Sequence, residues 1–309
     1  MSQPPVPPIV AVVGATAAGK TDLSLDLAER LDGEVVNTDA MQLYRGMDVG
    51  TAKLPAAERR GVPHHLLDLL DVTEPASVAD FQGRARGVIA EVRGRGRVPV
   101  LVGGSALYTR AVLDRFDFPG TDPQVRARYD AELARVGSAA LHARLAEVDP
   151  EAAAGILPEN GRRIVRALEV VELTGRPFSA SLPVLEHVDP RTVQVGVAID
   201  RPTLDERIAR RVDAMFAAGF VAEVERLLEV GLLDGLTASR AIGYREVAEH
   251  LAGRLSLDEA RERTVVATRR FARRQESWFT KDPRIRWVPY DAPDRVDRAL
   301  AAVAAVAVA

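Results

Sequence analysis

Strand-length apolar runs alternate with helical patterns over the first third of the chain. In residues 21–31, for example, Leu23, Leu27 and Leu31 recur at a spacing that places them on one helix face. Strands are predicted at Ile9–Val13, Glu34–Thr38 and Val98–Val102, and helices at 21–31, 78–93 and 105–113. This alternation predicts an α/β fold with a parallel sheet flanked by helices.

A block of purely helical pattern follows, from Asp122 to about Gly175. Asp122-Pro123 and Asp149-Pro150 are typical helix starts, and a further helix is predicted from Arg162 to Thr174. Residues 192–199 form a predicted strand that returns to the sheet, and a last strand is predicted near 284–290. We therefore predict a core of residues 1–121 and 190–309, whose C-terminal part is helical, and an inserted all-helical domain of residues 122–189 that acts as a lid.

Composition narrows the function classes. The 309 residues are 47% hydrophobic and 28% charged, which is ordinary for a folded globular protein. The absence of cysteine excludes disulfides, thiolate zinc sites and cysteine nucleophiles. The net charge of −3 gives no argument for nucleic acid on its own. Neither end of the chain has an apolar run long enough to cross a membrane. We expect a cytoplasmic protein and, since no heptad seam is visible, a monomer.

Residues 14–21, Gly-Ala-Thr-Ala-Ala-Gly-Lys-Thr, match the phosphate-binding pattern G-x-x-x-x-G-K-[ST] between the first strand and the first helix. Backbone N–H groups of such a loop form a concave nest for phosphate oxygens. Lys20 adds a positive charge, the Thr21 hydroxyl can ligate Mg²⁺, and the helix N-terminus adds its dipole. The loop predicts a di- or triphosphate ligand and a fold like that of P-loop NTPases, without deciding whether the ligand is ATP.

Two further polar segments follow predicted strands, where parallel α/β sheets bind their ligands. Asp39 follows the second strand and is a candidate magnesium ligand or general base, or else forms an Asx turn or a helix N-cap. The third strand ends in Gly103-Gly104-Ser105, where many P-loop ATPases and GTPases carry a magnesium-binding Asp. Ser105 is a candidate substrate contact or a helix N-cap.

Basic residues form three local groups. They are Arg162, Arg163 and Arg166; Arg207, Arg210 and Arg211; and Arg269, Arg270, Arg273 and Arg274, the last followed by Gln275 and Trp278-Phe279. A basic stripe beside aromatic residues suits phosphate contact with base stacking. Each group alone is equally compatible with a solvated helix face paired with nearby glutamates. Three such groups in a phosphate-binding protein favour a polyanionic partner.

These motifs together resemble the bacterial tRNA dimethylallyltransferases, also called tRNA isopentenyltransferases or the IPP transferase family. The resemblance covers most of the chain, and its most specific stretch is Asp39-Ala-Met-Gln-Leu-Tyr-Arg-Gly-Met-Asp-Val-Gly-Thr-Ala-Lys53. Further matching segments follow in the family's order: 63–66 with Asp68, 102–108, 122–126, 166–169, 241–245 and 268–275.

The resemblance implies a reaction and its participants. A dimethylallyl group would pass from dimethylallyl diphosphate to N6 of adenosine 37, 3′-adjacent to the anticodon, in tRNAs that read codons beginning with U. The phosphate loop would then hold a prenyl diphosphate with Mg²⁺. The partner would be the anticodon stem-loop of tRNA. The cysteine-containing zinc module of eukaryotic relatives is absent from this sequence.

The resemblance also implies site residues. Asp39 would be the general base, and Ser105 would hydrogen-bond near the reacting centre. The donor would be held by Gly14, Ala15, Thr16, Ala17, Ala18, Gly19, Lys20, Thr21 and Arg211, with Thr21 as the Mg²⁺ ligand. The tRNA would be contacted by Asp39, Ala40, Met41, Gln42, Ser105, Arg126, Arg162, Arg163, Arg166, Arg240, Gly243, Tyr244, Arg245, Arg270, Arg274 and Gln275. Three positions depart from the family's commonest residue: Ala15 replaces Pro, Ala40 replaces Ser, and Ser105 replaces Thr but keeps the hydroxyl.

Three alternative functions use the same phosphate loop. A P-loop kinase of a small metabolite would form ADP and leaves the arginine stripe at 269–274 without a role. A prenyltransferase of free adenine nucleotides would not need the arginine groups. A nucleotide-switched RNA-binding module would form no covalent product.

Overall fold

The computed structural model describes residues 6–116, 118–179 and 184–307. The chain forms two compact units, Met1–Leu113 with His187–Ala309, and Asp114–Glu186. The lid domain that we predict, residues 122–189, overlaps the second unit. Its action as a lid stays a prediction. No helix among the described residues is long and apolar enough to span a membrane.

The first unit is built on a six-stranded parallel sheet in the order β3-β2-β4-β1-β5-β6. The strands are β1 (Ile9–Val13), β2 (Gly33–Asn37), β3 (His64–His65), β4 (Val98–Val102), β5 (Thr192–Ala198) and β6 (Ile285–Pro289). The α/β fold with a parallel sheet is confirmed, and five of the six strands lie within one residue of the predicted positions. The two-residue strand β3 was not predicted, because so short a run has no detectable period.

Helices cover both faces of the sheet. The helices of this unit are α1 (Lys20–Arg30), α2 (Val78–Gly94), α3 (Ala106–Leu113), α8 (Arg201–Ala217), α9 (Phe220–Glu229), α10 (Tyr244–Leu251), α11 (Leu257–Phe279) and α12 (Arg295–Ala307). Along β1, Ile9, Ala11 and Val13 pack in one core, and Val10 and Val12 pack in a second core with α1 and α12. Both faces of β1 are therefore buried, as parallel strands require.

The second unit is helical. Its helices are α4 (Pro123–Val136), α5 (Ser138–Val148), α6 (Pro150–Gly155) and α7 (Gly161–Thr174). The predicted starts are confirmed, since Asp122 accepts a hydrogen bond from Gln124 N and Asp149 accepts one from Ala152 N. The helix α7 ends at Thr174, as predicted, and Gly175 after it adopts the left-handed conformation.

Candidate active site at the carboxyl ends of the strands

The three loops singled out in the sequence lie at one edge of the sheet. Since β2, β4 and β1 are adjacent and parallel, the segments that follow them lie side by side. These are residues 38–40, residues 103–105 and the phosphate loop. The three loops therefore meet at the carboxyl ends of the strands, where parallel α/β sheets bind their ligands.

The phosphate loop contains residues with positive φ angles, a backbone conformation that favours glycine. Gly14 and Gly19 have φ angles of 138° and 103°, and Ala17 also adopts a positive φ. A Cβ atom on Gly14 would approach the carbonyl oxygen of Val197 to 3.2 Å. Glycine is therefore required at residue 14 both by the dihedral angle and by the contact with β5.

Positive charges surround this loop. Lys20 Nζ donates to the carbonyl oxygen of Ala15 at 2.7 Å, and Arg207 Nε donates to that of Ala17 at 2.7 Å. Burial and the charge of Arg211 lower the pKa of Lys20 to about 7, against an opposing effect of Asp39. Burial also lowers the pKa of Arg211, which Asp39 counteracts. Crowded cations that disfavour one another's charge form a site that a bound polyanion would stabilise.

Asp39 is oriented by its neighbours. Asn37 Oδ1 accepts from the Asp39 amide at 2.8 Å, and Asn37 Nδ2 donates to the Asp39 carbonyl at 3.0 Å. Asp39 Oδ1 accepts from the amide of Met41 at 3.0 Å, so the Asx turn considered above is present. The turn does not exclude a role in chemistry, because Asp39 also lines both cavities at this edge.

Ser105 lies beside this segment. Ser105 immediately precedes α3, and its hydroxyl oxygen is 3.5 Å from the amide nitrogen of Ala40. Ser105 also lines the second cavity with Asp39. The structure therefore brings together the two residues predicted to be catalytic.

Two cavities meet at Asp39. The first, of about 480 Å³, is lined by the phosphate loop, Lys20, Thr21 and Arg210. The second, of about 390 Å³, has a largely apolar wall that includes Met41, Ile208, Val212, Met215, Phe220, Ile242 and Phe271. Four residues line both: Thr16, Asp39, Thr51 and Arg211. A polar and an apolar compartment thus share a wall that carries one carboxylate and one guanidinium.

The oxygen donors of the first cavity fit magnesium. Thr21, Asp22 and Asp39 line it beside the phosphate loop. Among the described residues, no group of three or more His, Cys, Asp or Glu side chains forms a metal cage. Mg²⁺ is usually held by one or two protein oxygens, with phosphate oxygens and water completing its shell. The arrangement fits an ion that arrives with a diphosphate.

The arginines predicted to bind tRNA fall into separate settings. Arg240 and Arg274 line the apolar cavity, and Arg245 and Arg270 line a surface groove between α10 and α11. In the helical unit Arg162 and Arg163 are exposed.

Two other arginines of the helical unit, Arg126 and Arg166, instead pair with the fully buried carboxylate of Glu169. Burial would raise the pKa of Glu169, but these arginines lower it overall. Arg126 and Arg166 therefore help to hold the helical unit together.

Two side chains predicted to contact tRNA are buried. Gln275 is 4% exposed and Tyr244 is 1% exposed. Both ends of the Gln275 amide bond to the backbone of other segments, and the Tyr244 hydroxyl donates to Glu223 Oε1 at 2.7 Å. Burial beside this carboxylate raises the pKa of Tyr244. Direct tRNA contact by these two side chains is thus disfavoured, because their polar atoms are already paired inside the protein.

Glu223 was not found by sequence reasoning. Glu223 is 2% exposed, and its carboxylate accepts hydrogen bonds from the amides of Asp48, Val49 and Gly50 at 2.7–3.1 Å. It also accepts the hydrogen bond from the hydroxyl of Tyr244. On α9 it looks like one more surface glutamate in the sequence. Only the fold shows that it holds the loop that follows Asp39.

Comparison with known proteins identifies the family of this chain. The IPP transferase family model matches residues 42–282. The tRNA dimethylallyltransferase of Nocardioides sp. strain JS614 is 76% identical over 298 residues, which cover 96% of each chain. The crystal structure of the tRNA isopentenylpyrophosphate transferase of Bacillus halodurans is 40% identical, with a TM-score of 0.71, and covers 97% of this chain and 96% of that one.

A eukaryotic dimethylallyltransferase, described as acting on tRNA, has a TM-score of 0.79 at 26% identity. The match covers 91% of this chain and 73% of that one. The resemblance carried by residues 39–53 is therefore confirmed across nearly the whole length. This chain belongs to the IPP transferase family, a family of prenyltransferases.

Proposed function

We propose that this protein transfers a dimethylallyl group from dimethylallyl diphosphate to N6 of adenosine 37, beside the anticodon. Its substrates are tRNAs that read codons beginning with U. One observation carries the proposal: the polar cavity with Lys20 and the apolar cavity meet at Asp39. A prenyl diphosphate has the same two-part character, an anionic head and an apolar tail, and its reacting carbon lies between them. The names of the relatives supply the substrate class.

The reaction forms a bond between C1 of the dimethylallyl group and N6 of the adenine. The bond between C1 and the diphosphate oxygen breaks, and its electron pair leaves with the diphosphate. The N6 proton passes to the carboxylate of Asp39. This transfer matters because the N6 lone pair is delocalised into the ring, and general base catalysis restores its nucleophilicity as the new bond forms.

Cations at the phosphate loop stabilise the leaving group. Lys20, Arg211 and the loop amides meet the charge that grows on the diphosphate. A bound magnesium ion, held by the Thr21 hydroxyl, would neutralise more of this charge. These groups are in place before the reaction, so little reorganisation is needed as the bond breaks.

The acceptor adenine has to leave the anticodon-loop stack to reach Asp39. Extrusion of a nucleotide into a pocket costs unstacking energy, which contacts to the base and backbone offset. Arg240 and Arg274 line the apolar cavity and are exposed, so they are available for phosphate contacts. We infer that the diphosphate occupies the polar cavity and the dimethylallyl group extends past Asp39 into the apolar one, through which the base enters to meet it.

The test mixes the purified protein with dimethylallyl diphosphate, Mg²⁺ and unmodified tRNA, followed by nucleoside mass spectrometry. N6-dimethylallyladenosine is expected only in the complete mixture. Parallel mixtures replace tRNA by AMP, or the prenyl donor by ATP and a panel of small metabolites. Product from AMP but not from tRNA would contradict the proposed acceptor. Phosphorylated metabolite with ADP, and no prenylated nucleoside, would support the kinase alternative.

The oligomeric state and the cellular location of the protein complete the proposed function. We propose that the protein acts as a monomer, since the two cavities are formed within one chain. We also propose that it works in the cytoplasm, which its membership of a tRNA-modifying family supports. Light scattering of the active protein, alone and with tRNA, tests the first point. A mass of two chains at the concentration where activity is measured would contradict it.

A further inference from the structure

The side chain of Gln275 joins three segments of the core. Its Oε1 accepts a hydrogen bond from the Thr16 amide of the phosphate loop at 2.8 Å. Its Nε2 donates to the carbonyl oxygen of Gly104 at 2.8 Å. The two partners fix the orientation of the amide, since a backbone N–H only donates and a carbonyl oxygen only accepts. A hydrocarbon side chain of similar length cannot replace this bridge.

Two glycines leave room for the side chain of Gln275 and for that of Thr38. A Cβ atom on Gly104 would lie 2.2 Å from Nε2 of Gln275. A Cβ atom on Gly103 would lie 2.3 Å from Oγ1 of Thr38. Gly103 and Gly104 stand where many P-loop ATPases carry an Asp. Because glycine has no Cβ atom, the side chains of Thr38 and Gln275 can lie against these two residues.

Both segments that Gln275 joins carry site residues. Thr16 lines the polar and the apolar cavity, and Ser105 follows Gly104 and lies against Ala40. A shift of either segment would change the distance between the bound diphosphate and the reacting centre. Small misplacements of this kind are costly in enzymes.

We propose that Gln275 is a positioning residue for the prenyl donor. Through its buried amide it holds the phosphate loop in register with the segment that carries Ser105. Its effect is on the diphosphate site and not on tRNA affinity, although it lies on the helix that carries Arg270 and Arg274. The kinetic part of this inference rests on the proposed function, whereas the binding part requires only the phosphate loop.

The test uses Gln275→Met, which keeps the side-chain length and removes both hydrogen bonds. Gln194→Met is the matched control, because Gln194 is also buried and hydrogen-bonded but lines neither cavity. Isothermal titration calorimetry measures the Kd of inorganic diphosphate with Mg²⁺, filter binding measures the Kd of tRNA, and thermal unfolding measures Tm. Steady-state kinetics give the KM of each substrate.

We expect Gln275→Met to raise the Kd of magnesium diphosphate and the KM of dimethylallyl diphosphate about tenfold, as the loss of one or two buried hydrogen bonds implies. The Kd of tRNA should stay within about twofold, and Tm should fall no more than in Gln194→Met. If Gln275→Met does not fold, Gln275→Asn serves instead. It keeps a neutral amide, but its side chain is one methylene shorter and cannot bridge Thr16 and Gly104 as the native side chain does.

A folded variant that binds magnesium diphosphate like the wild type would overturn the inference. So would a variant that loses tRNA affinity alone, which would return Gln275 to the tRNA-contact interpretation. Failure of the wild type to form prenylated tRNA would contradict the proposed function but would leave the diphosphate-binding result decisive for Gln275.

Discussion

Lys20 is buried beside Arg211, and this changes its protonation at neutral pH. Burial and Arg211 lower its pKa to about 7, well below the usual 10.5. A bound diphosphate brings negative charge to the site and raises this pKa again. The free protein therefore holds Lys20 largely neutral at pH 8, whereas the diphosphate complex holds it charged.

We predict that donor binding at pH 8 takes up close to one proton per site. Below pH 7 Lys20 is already charged in the free protein, so affinity is insensitive to its titration there. Affinity falls as the pH rises above 7, because the proton becomes harder to acquire. Calorimetry of dimethylallyl diphosphate with Mg²⁺, in Hepes and in Tris, measures the uptake from the difference in apparent enthalpy.

Lys20→Met provides the control for this measurement, since it removes the titrating group and should remove most of the buffer dependence. Identical wild-type enthalpies in the two buffers at pH 8 would show that Lys20 is already protonated in the free protein. The shift proposed for its pKa would then be wrong.

At the level of elements, the loop after Asp39 depends on a carboxylate far away in the sequence. Glu223 on α9 bonds to three successive amides, of Asp48, Val49 and Gly50, and to the hydroxyl of Tyr244 on α10. Gly50 allows this close packing, because a Cβ atom there would lie 2.2 Å from the ring of Phe220. The carboxylate thus fixes a loop that lines the apolar cavity.

Glu223→Gln should lower the free energy of unfolding by about 3 kcal/mol, because charge-assisted hydrogen bonds are lost and an amide N–H₂ faces N–H donors. Tyr244→Phe should cost only about 1.5 kcal/mol, since three of the four hydrogen bonds remain. Urea unfolding of the two variants against the wild type measures both values. Equal stability of Glu223→Gln and the wild type would show that the loop does not depend on this carboxylate.

The helix α11 presents exposed arginines on the side opposite its buried Gln275. We predict that Arg270→Ala weakens tRNA binding and lowers the slope of log affinity against log salt by about 1, the loss of one phosphate contact. Arg298→Ala on α12 is the control, because Arg298 is also exposed but lies beside neither cavity. Filter binding of tRNA from low to moderate salt gives the slopes for the wild type and the two variants. Equal slopes in all three would show that Arg270 is a solvated surface residue and not a tRNA contact.

The sequence predicted those elements that depend on local pattern. The helix starts at Asp122 and Asp149 and the strand ends at the phosphate loop and Asp39 follow from capping residues and short apolar runs. The roles of Gln275 and Glu223 depend on hydrogen bonds that span 259 and 173–175 residues along the chain. Periodicity carries no information on such pairs. The resemblance, which works residue by residue along the chain, therefore groups Gln275 with its exposed neighbours as a tRNA contact.

At the scale of the whole molecule, function depends on where charge lies and not on its sum. The chain has a net charge of −3, yet Lys20, Arg207, Arg210 and Arg211 line one cavity. Next to it lies a largely apolar cavity that shares Asp39 with the first. One bond-forming centre is expected at this junction, with the diphosphate of the donor in the polar cavity and the dimethylallyl group meeting the adenine of tRNA in the apolar one.

The most direct test is the single-turnover rate of N6-dimethylallyladenosine formation, with wild-type protein and Asp39→Asn in excess over tRNA. The wild type should modify the tRNA adenosine, and the variant should react about 10²–10⁴-fold more slowly, the usual contribution of a general base. The Kd of tRNA should change less than about twofold. No product from the wild type, or a wild-type rate from Asp39→Asn, would contradict the account.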